Sequence, residues 1–457
     1  MGRGALIILI LSILIFSCQG FSSVSGQGSL KDPDLQLKLV VDGLQDPTSM
    51  SFLSPNHFLV LEKEGIVQSV HGYDIANTPA LNITSIVNSI RERGLLGIAI
   101  SGQSSFPDDA EHPDSKIYLY FTERIPNHIH NHCDVENCAK GRIVNSLFAY
   151  ELDHGHLVYP RHLLSIPFDN GDIGSEHIGG KIIIGPDKKI YITGGDGHPC
   201  RGYNDCKNSV ETGNLNSKTS NIIGSNATGN GGIIVVSDNN NSESEIKVVG
   251  DDFPLTTYYA YGIRNSFGLD FDPITGKLWD TENGPAFGDE INIVEPGFNS
   301  GWSKVEGNWP ITDYNMLSIR NGNHISREPA DINEKELYDF NGKGKYSSPE
   351  LSWYRSVGVT ALKFYDSDNL GNAYKDDMFV ASYSNGKIYH FNLNKDRDSL
   401  VVDRLSENKV AYSESDLSDF VFAEGFPPIT EIQISPDGYI YFLTYDGSVW
   451  KIVKSNK

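Results

Sequence analysis

Residues 259–307 hold the densest group of side chains that could carry chemistry. Arg264 offers a permanent charge and a fixed fork of donors, which suit a carboxylate or a developing oxyanion. Gly284 and Pro285 form a turn that exposes backbone carbonyls, and Glu290 follows with a carboxylate. Calcium prefers oxygen ligands of both kinds. The segment predicts a cofactor or metal site, and the alternatives are a surface ion pair and an ordinary turn.

A second pair of candidates, His177 and Asp196, lies earlier in the chain. His177 stands in a glycine-flanked loop before an apolar run, where a histidine can act as a general base near neutral pH. Asp196 ends the next predicted strand between glycines, and the two residues bracket one predicted hairpin. Asp196 could therefore orient His177. The simpler interpretations are a surface or capping histidine and a turn-capping aspartate.

The elements that must position these residues form a repeated pattern. An apolar run, a turn and a second apolar strand recur, with starts near residues 48, 94, 179, 266, 358 and 430. Repeated strand–turn–strand units without a helical period predict an all-β fold, a six-bladed β-propeller over residues 35–455. The early strand at residues 35–41 is predicted to complete the last blade and close the ring. Long polar loop insertions are predicted at 108–141, 198–231 and 302–350.

Composition and the first residues narrow the environment and the partners. The 457-residue chain has a net charge of −22 and no basic stripe, so nucleic acid is not an expected partner. Residues 1–27 are predicted to be a signal peptide, because a basic start precedes a short apolar run. The protein is therefore expected to be secreted or extracytoplasmic. Cys18 either carries a lipid that anchors the protein to a membrane or is lost with the signal peptide.

The other four cysteines form two closely spaced pairs, Cys133 with Cys138 and Cys200 with Cys206. An even number of cysteines in an exported chain favours two local disulfides. Zinc binding is the alternative, because several histidines lie near these cysteines. The spacing within each pair is wider than the usual pair of zinc ligands, which favours the disulfides.

Several short motifs, taken in chain order, resemble one family, the soluble quinoprotein glucose/sorbosone (aldose sugar) dehydrogenases. The motifs are Glu92-Arg-Gly-Leu-Leu-Gly97, His177-Ile-Gly-Gly-Lys-Ile, Thr193-Gly-Gly-Asp196, Tyr261-Gly-Ile-Arg-Asn265, Glu282-Asn-Gly-Pro285 and Asp289-Glu-Ile-Asn292. Members of that family are six-bladed propellers that use pyrroloquinoline quinone (PQQ) and calcium. The resemblance covers nearly the whole mature chain.

The resemblance implies a role for each residue of the reaction centre. His177 would be the base that takes the proton from the C1 hydroxyl of a sugar, while hydride passes from C1 to PQQ. Asp196 would hold His177. Arg264 and Asn265 would contact the quinone oxygens and the substrate, which makes Arg264 both catalytic and cofactor-binding.

The resemblance also implies a Ca2+ site and shows where this chain departs from the family. The carbonyls of Gly284 and Pro285 would hold the calcium, and Glu290 would support a nearby calcium site or the loop itself. Ser384 stands where the family has a lysine for the PQQ carboxylates, and Thr430 lies in the segment that replaces the family's Arg-x-Arg motif.

Further predicted cofactor contacts lie beside these departures. Glu92 stands near the position of a family glutamine, and Arg355, close after Trp353, is the candidate to compensate for the lost cations. The leading hypothesis is an exported, PQQ- and calcium-dependent aldose dehydrogenase with a small sugar substrate and an unidentified electron acceptor. The alternative is a non-catalytic calcium-binding propeller for a protein or glycan, resembling Hedgehog-interacting protein.

Overall fold

A computed structural model describes residues 28–102, 115–124, 143–168, 177–197, 230–238, 247–248, 258–311, 332–405 and 408–455. The predicted signal peptide with Cys18, and the cysteines Cys133, Cys138, Cys200 and Cys206, lie outside these ranges. Two short 3-10 helices, Glu334–Glu336 and Glu414–Phe420, accompany the strands of the described residues. Within the same ranges no helix has the length and apolar character needed to cross a membrane.

The described strands form six sheets of four or more strands and one two-stranded ribbon. The innermost strands of the six sheets, named blades 1 to 6 in chain order, are Pro47–Ser54, Leu95–Ile100, Gly179–Ile184, Ser266–Phe271, Val359–Tyr365 and Ile429–Ile434. Each innermost strand contacts the next, and that of blade 6 contacts that of blade 1. The sheets therefore close into a ring, and the predicted β-propeller is confirmed.

The outer strands follow the innermost strand of each blade. Blade 1 adds His57–Glu62, Ile66–His71, Asp74–Ile75 and Leu81–Asn82; blade 2 adds Lys116–Arg124, Ile143–Asp153 and His156–Phe168. Blade 3 adds Ile190–Gly194, Gly232–Ser237, Lys247–Val248, Ala260–Tyr261, Phe298–Asn299 and Lys345–Tyr346. Blade 4 adds Leu278–Glu282, Asp289–Val294, Leu351–Trp353 and Val410–Ala411. Blade 5 adds Asp377–Ser382, Ile388–Phe391, Val421–Glu424 and Ser29–Leu30; blade 6 adds Ile440–Thr444, Ser448–Lys454 and Leu35–Val41.

The ring is closed by strands from both ends of the described chain. Leu35–Val41 pairs antiparallel with Ser448–Lys454 in blade 6, as the sequence predicted. Closure leaves no blade with an uncovered face, because each blade packs between two neighbours, and the free edges of the innermost strands surround the centre of the ring.

The core lies between the blades. Trp279 of blade 4 packs with Met378 and Val380 of blade 5. Phe52 of blade 1 packs against Tyr441 of blade 6, with ring centroids 4.9 Å apart. Sheets that are buried on both faces can carry apolar residues at successive positions, which explains the Ile-Ile-Ile run in blade 3.

The predicted insertion at 302–350 contributes strands as well as loops. Lys345–Tyr346 pairs in parallel with Phe298–Asn299, which pairs in parallel with Ala260–Tyr261 at the outer side of blade 3. Val305–Glu306 and Trp309–Pro310 form the two-stranded ribbon. This segment carries Trp302 and Glu306 to the site described next.

Candidate active site

A cavity of about 470 Å3 lies at the centre of the ring, where the innermost strands begin. Its volume is typical of a site for a small molecule. All six blades line it; the polar and aromatic lining residues used below are Lys63, Arg91 and Glu92 from blades 1 and 2, His177, Lys181, Arg264, Asn265 and Gly284 from blades 3 and 4, and Tyr383, Ser384, Thr430, Glu431 and Tyr445 from blades 5 and 6.

The buried His177 is held from three sides. Its Nδ1 lies 2.8 Å from Oδ1 of Asp196, and the two side chains are 8% and 1% exposed. Its backbone N–H donates to Oε2 of Glu92 at 2.6 Å, which helps to hold the left-handed φ of 55°. Because Asp196 accepts the Nδ1 proton, Nε2 is left as the acceptor that faces the cavity.

Asp196 is fixed in turn by Trp302. The indole Nε1 donates to Oδ2 of Asp196 at 2.7 Å, and the backbone N–H of Asp196 donates to the carbonyl of Arg264 at 2.9 Å. With both oxygens engaged, the carboxylate cannot rotate away from His177. The structure therefore brings together the predicted base and its predicted orienting carboxylate.

Arg264 lies directly against the base. One of its terminal nitrogens, Nη2, is 2.7 Å from Nε2 of His177, and Nη1 donates to the carbonyl of Asn283 at 2.6 Å. The guanidinium carbon lies 5.5 Å from the ring centroid of Trp302, a cation–π contact. Among the described residues, Nε of Arg264 is buried without a hydrogen-bond partner.

Asn265 and Glu92 connect three blades at the edge of the cavity. Oδ1 of Asn265 accepts the backbone N–H of Gly179 at 3.0 Å, and its Nδ2 lies 3.4 Å from Oε2 of Glu92. Glu92, predicted as a cofactor contact, thus serves the loop of His177 through the hydrogen bond to its backbone. Both side chains line the cavity.

The predicted calcium loop reaches the cavity at Gly284. A Cβ at this position would meet the carbonyl of Phe287 at 1.8 Å, so only glycine fits the turn. The N–H of Gly284 donates to Oδ1 of Asp289 at 2.9 Å, and Oδ2 of Asp289 accepts the N–H groups of Val357 and Gly358 at 2.7 Å. Pro285 follows in the same turn, half-buried, without lining the cavity.

Glu290 lies buried behind this loop. Its Oε1 accepts the backbone N–H of Gly307, and its Oε2 accepts from Asn292 at 3.0 Å and from the hydroxyl of Ser300 at 3.1 Å. In the described ranges, no cluster of three or more histidine, cysteine or acidic side chains is arranged to hold a metal. The side chain of Glu290 therefore binds Gly307, Asn292 and Ser300 rather than the Gly284–Pro285 turn, and a cation at that turn would depend on backbone carbonyls.

Other buried carboxylates surround Glu290. Burial raises the pKa of Asp280 and of Glu290 to about 7, and it raises the pKa values of Glu282 and Glu306 well above the usual range. Both carboxylate oxygens of Glu306 lack a hydrogen-bond partner among the described residues. Its Oε1 would lie 3.1 Å from a Cβ at Gly284, so this carboxylate is directly behind the loop predicted to bind calcium.

The lining from blades 5 and 6 is neutral except for Glu431, and we call Tyr383, Ser384, Thr430 and Tyr445 the neutral wall. The rings of Tyr383 and Tyr445 meet edge to face with centroids 5.9 Å apart. The hydroxyl of Thr430 donates to the carbonyl of Pro47 at 3.1 Å. The structure thus places the predicted contacts Ser384 and Thr430 at the cavity.

A buried ion pair crosses the cavity floor. Nζ of Lys181 in blade 3 lies 2.5 Å from Oε2 of Glu431 in blade 6, and the hydroxyl of Ser49 in blade 1 donates to the same oxygen at 2.8 Å. The side chains are 7% and 2% exposed. Burial lowers the pKa of Lys181, and the charge of Glu431 opposes that shift.

Two predicted cofactor residues do not line the cavity. Trp353 is 3% exposed and packs between blades 4 and 5, with its ring centroid 5.9 Å from that of Tyr389. Arg355 is exposed, outside the lining residues. The proposed compensation by Arg355 therefore has no support from its position, because the strand Leu351–Trp353 lies toward the outside of blade 4.

Sequence reasoning did not assign Trp302, Glu306 or the Lys181–Glu431 pair. Trp302 was visible in the motif Gly301-Trp302, but its partner Asp196 is 106 positions away. Lys181 and Glu431 are 250 positions apart, and only the closure of the ring brings them together.

The closed ring of six sheets around a central cavity places the protein among the β-propellers. The chain belongs to the glucose / sorbosone dehydrogenase family, whose sequence model matches residues 44–452.

Individual relatives are more distant. An uncharacterized protein of Synechocystis is 22% identical over 417 residues, which span 90% of this chain and 84% of the relative. The aldose sugar dehydrogenase of Escherichia coli is 28% identical over 190 residues, 42% of this chain and 41% of that protein. The quinoprotein glucose dehydrogenase B of Acinetobacter calcoaceticus is 26% identical over 322 residues, 66% of this chain and 60% of that protein. For these two dehydrogenases, the match therefore spans less than two thirds of their length.

Solved structures show the same fold. The soluble aldose sugar dehydrogenase of Escherichia coli, in its apo-form, has a TM-score of 0.58 at 18% identity and covers 92% of this chain and 100% of its own. The PQQ-bound aldose sugar dehydrogenase of Streptomyces coelicolor has a TM-score of 0.57 at 18% identity and covers 92% of this chain and 98% of its own.

Proposed function

We propose that the protein is an exported dehydrogenase that oxidises the C1 hydroxyl of an aldose, with PQQ and calcium as cofactors. The observation that carries the proposal is the buried His177–Asp196 pair, whose free ring nitrogen meets Arg264. A base with an oriented carboxylate and a neighbouring fixed cation is what removal of a hydroxyl proton requires. The family relationship supports the sugar dehydrogenase activity.

The cavity fits PQQ best at the quinone end. The guanidinium of Arg264 and the amide of Asn265 line the cavity from blade 4 and can donate to quinone oxygens. At the carboxylate end, the neutral wall offers the hydroxyls of Ser384 and Thr430 and two phenols instead of cations. Neutral hydrogen bonds are about half as strong as charge-assisted ones, so we expect PQQ to bind less tightly than in a site with cations there.

The loop of Gly284 and Pro285 fits a calcium ion. Its carbonyls would hold the cation, and the unpartnered carboxylate of Glu306 behind Gly284 provides negative charge next to it. A cation at this place would also offset the charge of the buried carboxylates Glu282 and Glu306, whose pKa values are raised by burial and by the carboxylates around them. The calcium would polarise the quinone, as a Lewis acid does.

The chain's own residues would remove the hydroxyl proton. Nε2 of His177 accepts the proton of the C1 hydroxyl once the sugar replaces the Nη2 contact of Arg264. The Nδ1 proton stays in its hydrogen bond to Asp196, whose negative charge stabilises the imidazolium that forms. Trp302 keeps Asp196 in place during this change. Bound PQQ would supply the acceptor for the hydride that leaves C1, and the sugar becomes a lactone.

Titration of the purified protein with PQQ, with and without calcium, followed by dye reduction over a panel of aldoses, tests the proposal. We expect PQQ binding at micromolar concentrations and calcium-dependent reduction. Absence of PQQ binding at these concentrations would overturn the enzyme proposal.

The second candidate is a non-catalytic calcium-binding propeller for a protein or glycan. The observation that favours it is the absence of a cation from the neutral wall, where the family grips PQQ. The same titration separates the two candidates, because the non-catalytic protein would bind calcium and leave PQQ unbound.

Export is proposed from the predicted signal peptide. Mass spectrometry of the mature protein from its native host decides between the two fates of Cys18: a lipid-modified Cys18 at the new N-terminus indicates an anchor, and a start further along the chain indicates full secretion.

A further inference from the structure

The charges that line the cavity are distributed unevenly. Four cations and two carboxylates line it, although the whole chain has a net charge of −22. All four cations come from blades 1 to 4, and two of them, Lys63 and Arg91, belong to blades 1 and 2, outside the group formed by His177, Asp196 and Arg264. A neutral aldose would gain from these two groups only hydrogen bonds to its hydroxyls, whereas an anionic sugar would also gain from their charge.

Lys63 is held at the border between blades 1 and 2. Its backbone N–H donates to the carbonyl of Asp46 at 3.1 Å, and its carbonyl accepts the N–H of Leu95 at 2.9 Å. Its stem lies against Gly94, where a Cβ would come within 2.6 Å of Cγ of Lys63. Gly94 has a φ of 151°, which favours glycine, and because glycine has no Cβ the stem of the lysine fits beside it at the cavity edge.

The ammonium group of Lys63 is available to a ligand. Among the described residues it has no ion-pair or hydrogen-bond partner, and the residue is half-buried. By contrast, Lys181 is paired with Glu431 at 2.5 Å, and Arg264 contacts His177 and Asn283. The uncommitted positive charge of the cavity thus lies at Lys63.

Arg91 adds a second cation to the lining of the cavity. It directly precedes Glu92, whose carboxylate accepts the backbone N–H of His177 at 2.6 Å. The left-handed backbone of Arg91, with a φ of 59°, turns the chain at this point. Lys63 and Arg91 therefore line the same cavity as His177, into which the sugar must enter.

We propose that the sugar oxidised by this protein carries a carboxylate, as a uronic acid does, and that Lys63 binds it, with Arg91 as a further cation of the same lining. The inference rests on the proposed dehydrogenase function and names the substrate class of the same site. In a hexuronic acid the carboxylate is attached to C5, which is separated from C1 by the ring oxygen alone. A sugar whose C1 hydroxyl reaches Nε2 of His177 therefore presents its carboxylate within the same part of the cavity.

The test compares two sugars that differ only at C6, D-galacturonate and D-galactose. Dye-reduction kinetics of the PQQ- and calcium-loaded protein give kcat/KM for each, and calorimetry gives their affinities. We expect D-galacturonate to be preferred about 10- to 100-fold, mainly through KM, because one or two charge-assisted hydrogen bonds are gained. The preference should shrink as ionic strength rises, because the cations border open solvent.

Lys63→Gln should reduce this preference at least tenfold in both kcat/KM and affinity. Lys188→Gln is the matched control: it removes the same charge from the exposed turn at the opposite end of the blade 3 hairpin and should leave the preference unchanged. PQQ affinity is measured on each variant as well. A loss of PQQ affinity in Lys63→Gln with an unchanged sugar preference would overturn the inference, because Lys63 would then bind a carboxylate of the cofactor.

Two further outcomes distinguish a failure of this inference from a failure of the proposed function. Equal kcat/KM values for the two sugars in the unmodified protein would overturn the inference and leave the dehydrogenase function intact. Failure to bind PQQ, or failure to oxidise any aldose, would overturn the proposed function and this inference together.

Discussion

The two sides of the cavity differ in how firmly they hold their functional groups. On the side of blades 3 and 4, which we call the base wall, His177, Asp196 and Arg264 each make at least two hydrogen bonds to other blades or loops. On the neutral wall, Tyr383 and Tyr445 contact each other. Ser384 is tied through its backbone N–H to the carbonyl of Val357 at 2.9 Å.

The two walls therefore have different tasks: the base wall carries the groups for proton removal, and the neutral wall carries groups that only bind the ligand. A proton acceptor must be preorganised, because a small displacement of the base is costly to the rate. Groups that only bind a ligand can change from charged to neutral at the cost of affinity alone. The base wall keeps the arrangement expected of the family, and the departures of this chain are concentrated on the neutral wall.

Replacing the base should have the largest effect. His177→Ala should lower kcat/KM for the oxidised sugar about 10³-fold, because general-base catalysis typically contributes 10²–10⁴-fold. PQQ affinity should change less than threefold. Stopped dye-reduction assays measure kcat/KM, and calorimetry measures the PQQ affinity. His156→Ala, an exposed histidine of the outer strand His156–Phe168, is the control and should behave as the unmodified protein. A His177→Ala variant with more than a tenth of the activity would contradict the assigned base.

Breaking the buried Lys181–Glu431 ion pair should have the largest effect on the free energy of unfolding. Glu431→Ala leaves Lys181 buried without its partner, which should lower the free energy of unfolding by about 3–5 kcal/mol in urea titrations. The double variant Lys181→Met with Glu431→Leu replaces the pair with apolar groups and should recover most of that loss. A single variant within about 1 kcal/mol of the unmodified protein would show that the pair does not hold blades 3 and 6 together.

The carboxylates behind the base wall should make stability depend on pH. Burial raises the pKa of Asp280 and of Glu290 to about 7, so the folded protein holds protons that the unfolded chain releases near pH 4. The free energy of unfolding should therefore fall as pH rises from about 5 to 7, by up to about 1.4 kcal/mol per pH unit for each group, and then level off.

Adding calcium distinguishes the pH dependence caused by these buried carboxylates from the titration of other groups in the protein. A cation at the Gly284 loop would neutralise the same carboxylates, so calcium should raise the melting temperature more at pH 8 than at pH 5. Removal of calcium with a chelator should reverse the difference. A stability that rises between pH 5 and 7 without calcium would contradict the raised pKa values.

The sequence predicted the ring better than it predicted the neighbours of each site residue. Strand periodicity and motif order gave six blades and the closing strand Leu35–Val41, because these depend on local patterns. His177, Asp196 and Arg264 were each recognisable from their own loops. The Lys181–Glu431 pair was not, because its partners come from opposite blades. Arg355 was expected at the cavity and is not among its lining residues.

The smallest expected change tests the neutral wall directly. Ser384→Lys restores the charge that the family carries there, and the exposed side chain has room to extend into the cavity. One charge-assisted hydrogen bond to a PQQ carboxylate should raise PQQ affinity about tenfold, with kcat nearly unchanged, because the base wall is untouched. Ser418→Lys, on the outer helix Glu414–Phe420, adds the same charge far from the cavity and should leave the affinity as it was. If both variants bind PQQ equally, the carboxylates of the cofactor do not face the neutral wall, and the loss of cations there has no bearing on how the cofactor is held.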